Sequence, residues 1–209
     1  MAGGTICRGA EVKRGLEPRT RQEGDSTAAP DCVLRAATVA DTGRLAALGR
    51  DSFNAAFGHL YAANDLAVFL AQTYSHEVVS REINDPGIRF CLAMGGDDLL
   101  GFCKLKLNET YGHSAASSPL VLAQLYTAPQ ATRRGIGAQL MHWTIAKAQA
   151  HGRDAIQLTV WSGNDGAQRF YQRFGFRKIA DVDFWVGNHR DDELLYELTL
   201  DTDLPVLTR

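Results

Sequence analysis

Residues 129–141 read P-Q-A-T-R-R-G-I-G-A-Q-L-M, directly after an apolar run at 120–126, L-V-L-A-Q-L-Y. A run of that length is strand-like, and the pattern beginning at Ile136 has helical spacing out to about residue 150. Between them lies a turn with two arginines and two glycines. Gly135 and Gly137 have no Cβ, so the backbone there can come close to a ligand. The first amides of a helix have no intrahelical acceptors, and the helix dipole leaves that end partly positive. Phosphate or pyrophosphate suits such a place. Arg133 and Arg134 add charge-assisted contacts beside it.

Working outward, His151-Gly152 supplies a glycine where that helix needs a left-handed stop. A strand at 155–161 leads through Ser162-Gly-Asn164 into a helix at 165–173. Gly175-Phe176 then restarts the chain toward strands near 182–187 and 194–200. Upstream, a strand at 33–36 precedes Thr38-x-x-Asp41, a capping box with Asp in the Glu position. The helix that follows carries Leu45, Leu48, Phe53 and Phe57. Asn64 and Ser75 are the expected N-caps of two short helices near 65–73 and 76–84. A hairpin spans 89–94 and 99–107 about the turn Gly95-Gly-Asp-Asp98, and residues 108–118 form a polar loop. This pattern predicts an α/β (α+β) fold, a mixed sheet with helices on both faces. Residues 1–31 show no hydrophobic period and are expected to be a flexible tail, with one folded domain over 32–209.

The chain of 209 residues has 45% hydrophobic and 22% charged residues and a formal net charge of −2. That is a globular composition with no basic excess to suggest a nucleic-acid partner. No run approaches the ~20 apolar residues of a membrane span, and the N-terminus has no signal-peptide core. Cys7, Cys32, Cys91 and Cys103 have no metal-type spacing, nor do the six histidines, so no metal is expected. The cysteines read as reduced thiols of a cytoplasmic protein.

Several phosphate-binding patterns are absent. There is no G-x-x-x-x-G-K-[ST] and no G-x-G-x-x-G. Two motifs remain: T-R-R-G-I-G at 132–137, and N-x-x-A-x-x-F-Y-x-x-x-G-F at 164–176. In that order, about 30 residues apart, they resemble the GCN5-related N-acetyltransferase (GNAT) superfamily. That family carries [QR]-x-x-G-x-[GA] after its fourth strand and the second motif after its fifth. Thr132 replaces the usual Gln or Arg; the second motif is matched in full. The resemblance covers roughly 33–200.

The resemblance implies a mostly antiparallel mixed sheet splayed between strands 4 and 5, and acetyl-CoA as the donor. The pyrophosphate would lie on the amides of Arg133, Arg134, Gly135, Ile136, Gly137 and Ala138, beside Thr132. Leu125, Tyr126 and Thr127 would run along the pantetheine arm. Asn164 would approach the thiol end, and Ala167 and Phe170 also count as cofactor contacts, although Phe170, Phe174 and Phe176 read equally well as core. Tyr171 would be the general acid for the departing thiolate.

An alkyl amine has a pKa near ~10, so a base must free it for attack. Many family members keep a Glu on the fourth strand; here that strand has Gln124 and no carboxylate. Water, Glu109 or a carboxylate of the first helices are the open substitutes. The stretches at 52–57, 65–74, 160–161 and 184–187 further resemble bacterial spermidine/spermine acetyltransferases of the PaiA kind. This implies a small primary amine as acceptor, with polyamines one class, and Asp51, Asp65, Glu77, Glu82 and Glu109 in the acceptor region. It also implies a homodimer through C-terminal strands as one assembly. The missing carboxylate keeps an alternative open, an acyl-CoA-binding sensor with the same fold.

Overall fold

The structure, a computed structural model, describes residues 32–201. The N-terminal segment 1–31, expected above to be a tail, lies outside the described residues, as does Cys7.

Among the described residues seven strands form one sheet. They are β1 (Cys32–Ala36), β2 (Ile88–Gly95), β3 (Asp98–Lys106), β4 (Pro119–Thr127), β5 (Ala155–Trp161), β6 (Arg177–Val186) and β7 (His189–Thr199). Their spatial order is β1-β2-β3-β4-β5-β7-β6, and every neighbouring pair is antiparallel except β4 with β5. That parallel pair holds register only from Pro119–Ala155 to Val121–Gln157. Beyond it both strands continue without pairing to each other, which is the splay anticipated from the sequence.

Helices cover both faces. On one side lie α1 (Thr42–Phe57), α2 (Ala63–Tyr74) and α3 (His76–Asn84); on the other lie α4 (Ile136–Ala150) and α5 (Asp165–Arg173). The cores on the two sides are distinct. Under α4 and α5 pack Leu120, Leu122, Leu125, Ile136, Leu140, Leu158 and Tyr171. Under α1 to α3, Phe53 is fully buried with Phe57, Tyr61, Phe69 and Tyr74 around its ring. Aromatic contacts of this kind add to area burial by about 0.5–1.5 kcal/mol each.

Helix starts follow the expected chemistry with one correction. Ser75 caps α3 by accepting from Val78 N at 3.3 Å. Asp41 closes a short turn ahead of α1, accepting from Thr38 N at 2.9 Å and from the Arg35 guanidinium at 2.7 and 2.8 Å. Asn64 is not the cap of α2. Leu66 N already donates to Ala62 O at 3.0 Å, so the first turn forms two residues earlier, with extended Ala62 at the cap position and no side-chain cap. Strands β6 and β7 also start earlier than the sequence pattern suggested. No helix among the described residues is long and apolar enough to cross a membrane.

One irregularity positions everything that follows. Lys104 pairs with Gln124 but Leu105 with Leu122, so Ala123 is an extra residue in β4. A bulge shifts the side-chain alternation by one. Leu120, Leu122 and Leu125 therefore all enter the α4–α5 core, which strict alternation forbids, while Gln124 and Tyr126 point to the opposite face.

Candidate active site

The glycine turn and α5 face each other across a cleft of about 900 Å³. Its walls are Leu125 and Thr127 at the end of β4, residues 129–133 and 135–138 of the turn and first turn of α4, and Gly166, Ala167, Phe170, Tyr171 and Arg173 of α5. The turn works because two residues take positive φ, Arg133 at 63° and Gly135 at 79°. Gly135 is the N-cap of α4 and brings no capping side chain. A Cβ on it would meet nothing within 4 Å. The first-turn amides of α4 thus open onto free space flanked by Arg133 and Arg173. A helix end without its own cap, beside two cations, fits a pyrophosphate.

Asn164 explains the opposite wall. Its side chain accepts from Ala167 N at 3.0 Å, fixing where α5 begins. Ala167, Phe170 and Tyr171 then face the cleft at helical spacing. Tyr171 is fully buried, with its ring 5.3 Å from Phe170 and 5.8 Å from Phe176.

The sequence-derived set is thus mostly assembled in one place. Leu125, Thr127, Thr132, Arg133, Gly135, Ile136, Gly137, Ala138, Ala167, Phe170 and Tyr171 line the cleft, while Tyr126, Arg134 and Asn164 do not. Arg134 is exposed beside the turn. Asn164 is engaged as a helix cap. The side chain of Tyr126 lies across the sheet, its hydroxyl 3.0 Å from that of Tyr74 and its ring 5.6 Å from Phe102. The alternation on either side of the bulge sends neighbours Leu125 and Tyr126 to opposite faces. Pro129, Gln130, Ala131, Gly166 and Arg173 join the lining without having been singled out. Arg173 falls three residues after Phe170, the helical spacing that could have revealed it.

The far face of the sheet carries buried polar groups: Lys104, Gln124, Gln157, Thr159, Asp191 and Glu193. Gln124 donates to Tyr74 Oη at 3.4 Å. Lys104 donates to Glu82 at 2.9 and 3.0 Å, and burial pulls its pKa below the ordinary lysine value against the pull of Glu82. Glu109 pairs with Lys106 at 2.9 Å, and Asp51 and Glu77 are exposed. The buried carboxylates on this face instead include two from β7. Asp191 accepts from Tyr61 Oη and stands 3.2 Å from His189 Nε2, while Glu193 lies opposite Trp161 across the β5–β7 ladder. The signal for them was the alternation of residues 189, 191 and 193. The sequence pattern began that strand only at 194 and left these three in a turn.

The acetyltransferase (GNAT) family model matches residues 51–176. The chain belongs to this family. It is accordingly an N-acetyltransferase whose donor is acetyl-CoA. An uncharacterized N-acetyltransferase of Mycobacterium tuberculosis is 26% identical over 155 residues, covering 74% of this chain and 95% of that one. Among solved structures, PaiA N-acetyltransferase from Thermoplasma acidophilum, in complex with coenzyme A, superposes with a TM-score of 0.67 at 22% identity. It covers 81% of this chain and 99% of its own. Spermidine N-acetyltransferase from Vibrio cholerae, in complex with CoA and spermine, gives 0.57 at 19% identity over 80% of this chain and 95% of its own.

Proposed function

We propose that this enzyme transfers the acetyl group of acetyl-CoA to a primary amine of a small molecule, of the polyamine class, by direct attack of the neutral amine on the thioester. The observation that carries the transfer chemistry is the sharing of one cleft by the glycine turn and Tyr171. A pyrophosphate held at the turn leaves the thioester end of the donor to reach α5. In this reading the amides of residues 133–138, with Arg133 and Arg173, hold the pyrophosphate. The unpaired edge of β4, at Leu125 to Thr127, offers backbone groups to the pantetheine, since past Val121 no β5 partner takes them. Tyr171 gives its phenolic proton to the departing thiolate.

The acceptor class rests on the far face. Buried Asp191 and Glu193 favour a cation, with the aromatic Tyr61 bonded to Asp191 and Trp161 opposite Glu193. The fold shared with the Vibrio cholerae spermidine enzyme supports the same class. We further take residues 32–209 as the catalytic domain, working in the cytoplasm.

An acceptor panel of spermidine, spermine, simple diamines and amino-sugar amines, read by mass detection of the product, tests the proposal. Acetylation of polyamines above the other amines is expected. Tyr171→Phe should lower kcat by about 10²-fold or more while acetyl-CoA affinity stays within about twofold, a change of only ~0.4 kcal/mol. Unchanged kcat would remove Tyr171 from the acid role. Acetyl-CoA binding without product from any amine would make the protein an acyl-CoA sensor instead.

A further inference from the structure

The β6–β7 hairpin closes at Gly187, whose φ is +56° and whose Cα packs so tightly on the Asp65 side chain of α2 that a Cβ would collide with it. His189 follows directly, opposite Val186 in the ladder. By the period of two along a strand, His189, Asp191 and Glu193 share the sheet face that Val186 and Phe184 bury under α1 and α2. Two contacts hold the imidazole and a third holds its partner carboxylate. Its Nε2 is 3.2 Å from Asp191 Oδ1, the second Asp191 oxygen accepts from Tyr61 Oη, and the Tyr61 ring meets the imidazole edge-on at 5.3 Å. Asp191 is buried, with a side chain 3% exposed, whereas that of His189 is 45% exposed.

This is the arrangement of an oriented base. A hydrogen bond from Nε2–H to the carboxylate assigns the tautomer and leaves the lone pair on Nδ1. The position also suits the reaction. Ser162 N donates to Asp192 O at 3.0 Å, tying this part of β7 to the end of β5, from which the chain enters α5 and Tyr171. The cluster therefore stands on the far face at the end where β4 and β5 have parted, the side from which an acceptor would approach the thioester.

We infer that His189, oriented by Asp191 and Tyr61, is the base that takes the proton of the incoming ammonium, in place of the missing carboxylate of β4. The inference rests on the acetyl-transfer reading above. His189 Nδ1 accepts one proton from R–NH₃⁺ and passes it to solvent. The freed amine lone pair forms the N–C bond as the C–S bond breaks. The second proton lost by nitrogen leaves to solvent, and the sulfur takes one from Tyr171, which regains it from solvent. The net change is R–NH₃⁺ plus thioester to amide, thiol and one released proton.

The groups in contact with His189 are Asp191 of β7 and the Tyr61 ring, with Asp65 of α2 packed on Gly187 two residues before it and Glu193 four residues on along the same face. His189→Gln keeps a donor toward Asp191 and removes the base, and the half-exposed site allows the variant to fold. With an ordinary alkylamine at pH 7, kcat/KM should fall about 10²-fold. The deficit should shrink by roughly tenfold per pH unit as pH rises toward the amine pKa, because the neutral amine then forms without help. With a weakly basic amine such as trifluoroethylamine, already neutral at pH 7, the variant should match wild type. A deficit constant across pH, or equal for both amines, overturns the assignment. A wild-type enzyme that acetylates no amine overturns the transfer reading itself, a result distinct from either.

Discussion

The two ends of α4 offer a matched experiment on the glycine turn. Gly135 begins the helix at φ +79° and Gly152 follows its end at φ +62°, and a Cβ at either would meet nothing within 4 Å. Gly152 closes a Schellman motif, with Gly152 N donating to Gln149 O at 2.9 Å and Arg153 N to Ala148 O at 3.0 Å. An L-residue in the left-handed region costs about 1–2 kcal/mol. The lower entropy of the unfolded chain returns roughly 0.4–1 kcal/mol of that. Gly135→Ala and Gly152→Ala should therefore each lose about 1 kcal/mol and lower Tm by about 2–4 °C. Binding should separate them. Only Gly135 lies on the cleft, where a methyl displaces a phosphate oxygen from the α4 amides. Losing one charge-assisted hydrogen bond costs about 1.5–3 kcal/mol, which is roughly a 10- to 100-fold weaker Kd for acetyl-CoA. Calorimetric titration with acetyl-CoA and scanning calorimetry on the two variants supply both numbers. Equal acetyl-CoA affinity in the two variants, with equal Tm, would show that the donor does not sit on this turn.

Two further predictions concern the groups that brace the sheet. Glu82→Gln leaves buried Lys104 without its carboxylate and should cost about 3–5 kcal/mol in chemical denaturation; Lys104→Met with Glu82→Leu should recover most of it, because a well-packed apolar pair often matches a buried ion pair. The Arg35 guanidinium, followed by Thr38, holds the Asp41 carboxyl well below the usual range. A depressed carboxylate stabilises the fold fully above its unfolded pKa near ~4 and loses that contribution as pH falls toward its folded value. Asp41→Asn should therefore be less stable than wild type at neutral pH and converge on it as pH drops from about 4 toward 2 in an acid titration of stability.

The donor side of this site was legible because it is local. The turn at 132–137 and the helix from Asn164 each state their chemistry within a dozen residues, and the backbone that binds a phosphate needs no distant partner. The acceptor side was not legible. Tyr61 and Asp191 are 130 residues apart, and no period in either segment announces the other. The acids of β7 were also hidden by their own strand, since H-R-D-D-E reads as a charged turn until the ladder with β6 shows that its odd positions face inward. Of the five acids that the sequence left open for the acceptor region, Glu82 and Glu109 are paired with lysines of β3. Tyr126 is assigned to the arm for its backbone, and what the sequence did not announce is that its side chain lies on the far face against Tyr74 and Phe102.

The bulge at Ala123 accounts for how the two sides can meet at all. A continuous ladder between β4 and β5 would seal the sheet and keep an acceptor on the α1–α2 face away from a donor on the α4–α5 face. The parallel pairing stops at Val121 and Gln157, and two residues later the bulge reverses the side-chain phase of β4. From there the strand gives Leu125 to the donor cleft and Gln124 and Tyr126 to the far face, with its inner edge no longer bonded to β5. The bulge thus does two things that regular pairing of this same sequence cannot. It keeps three leucines in the core under α4, and it turns the unpaired end of β4 into a wall shared by both sides. The same β4 sequence paired regularly, with Ala123 taking a place in the alternation, would put Gln124 in the donor cleft and Leu125 among the polar groups of the far face. That swap buries an amide against the donor and removes the apolar contact below Gly137, where Leu125 lies 3.8 Å from the position of a Cβ. Inserting one residue after Ala123, which a single bulge does not absorb, should therefore produce that swap and abolish acetyl transfer, whereas deleting Ala123 leaves Leu122, Gln124 and Leu125 on their present faces.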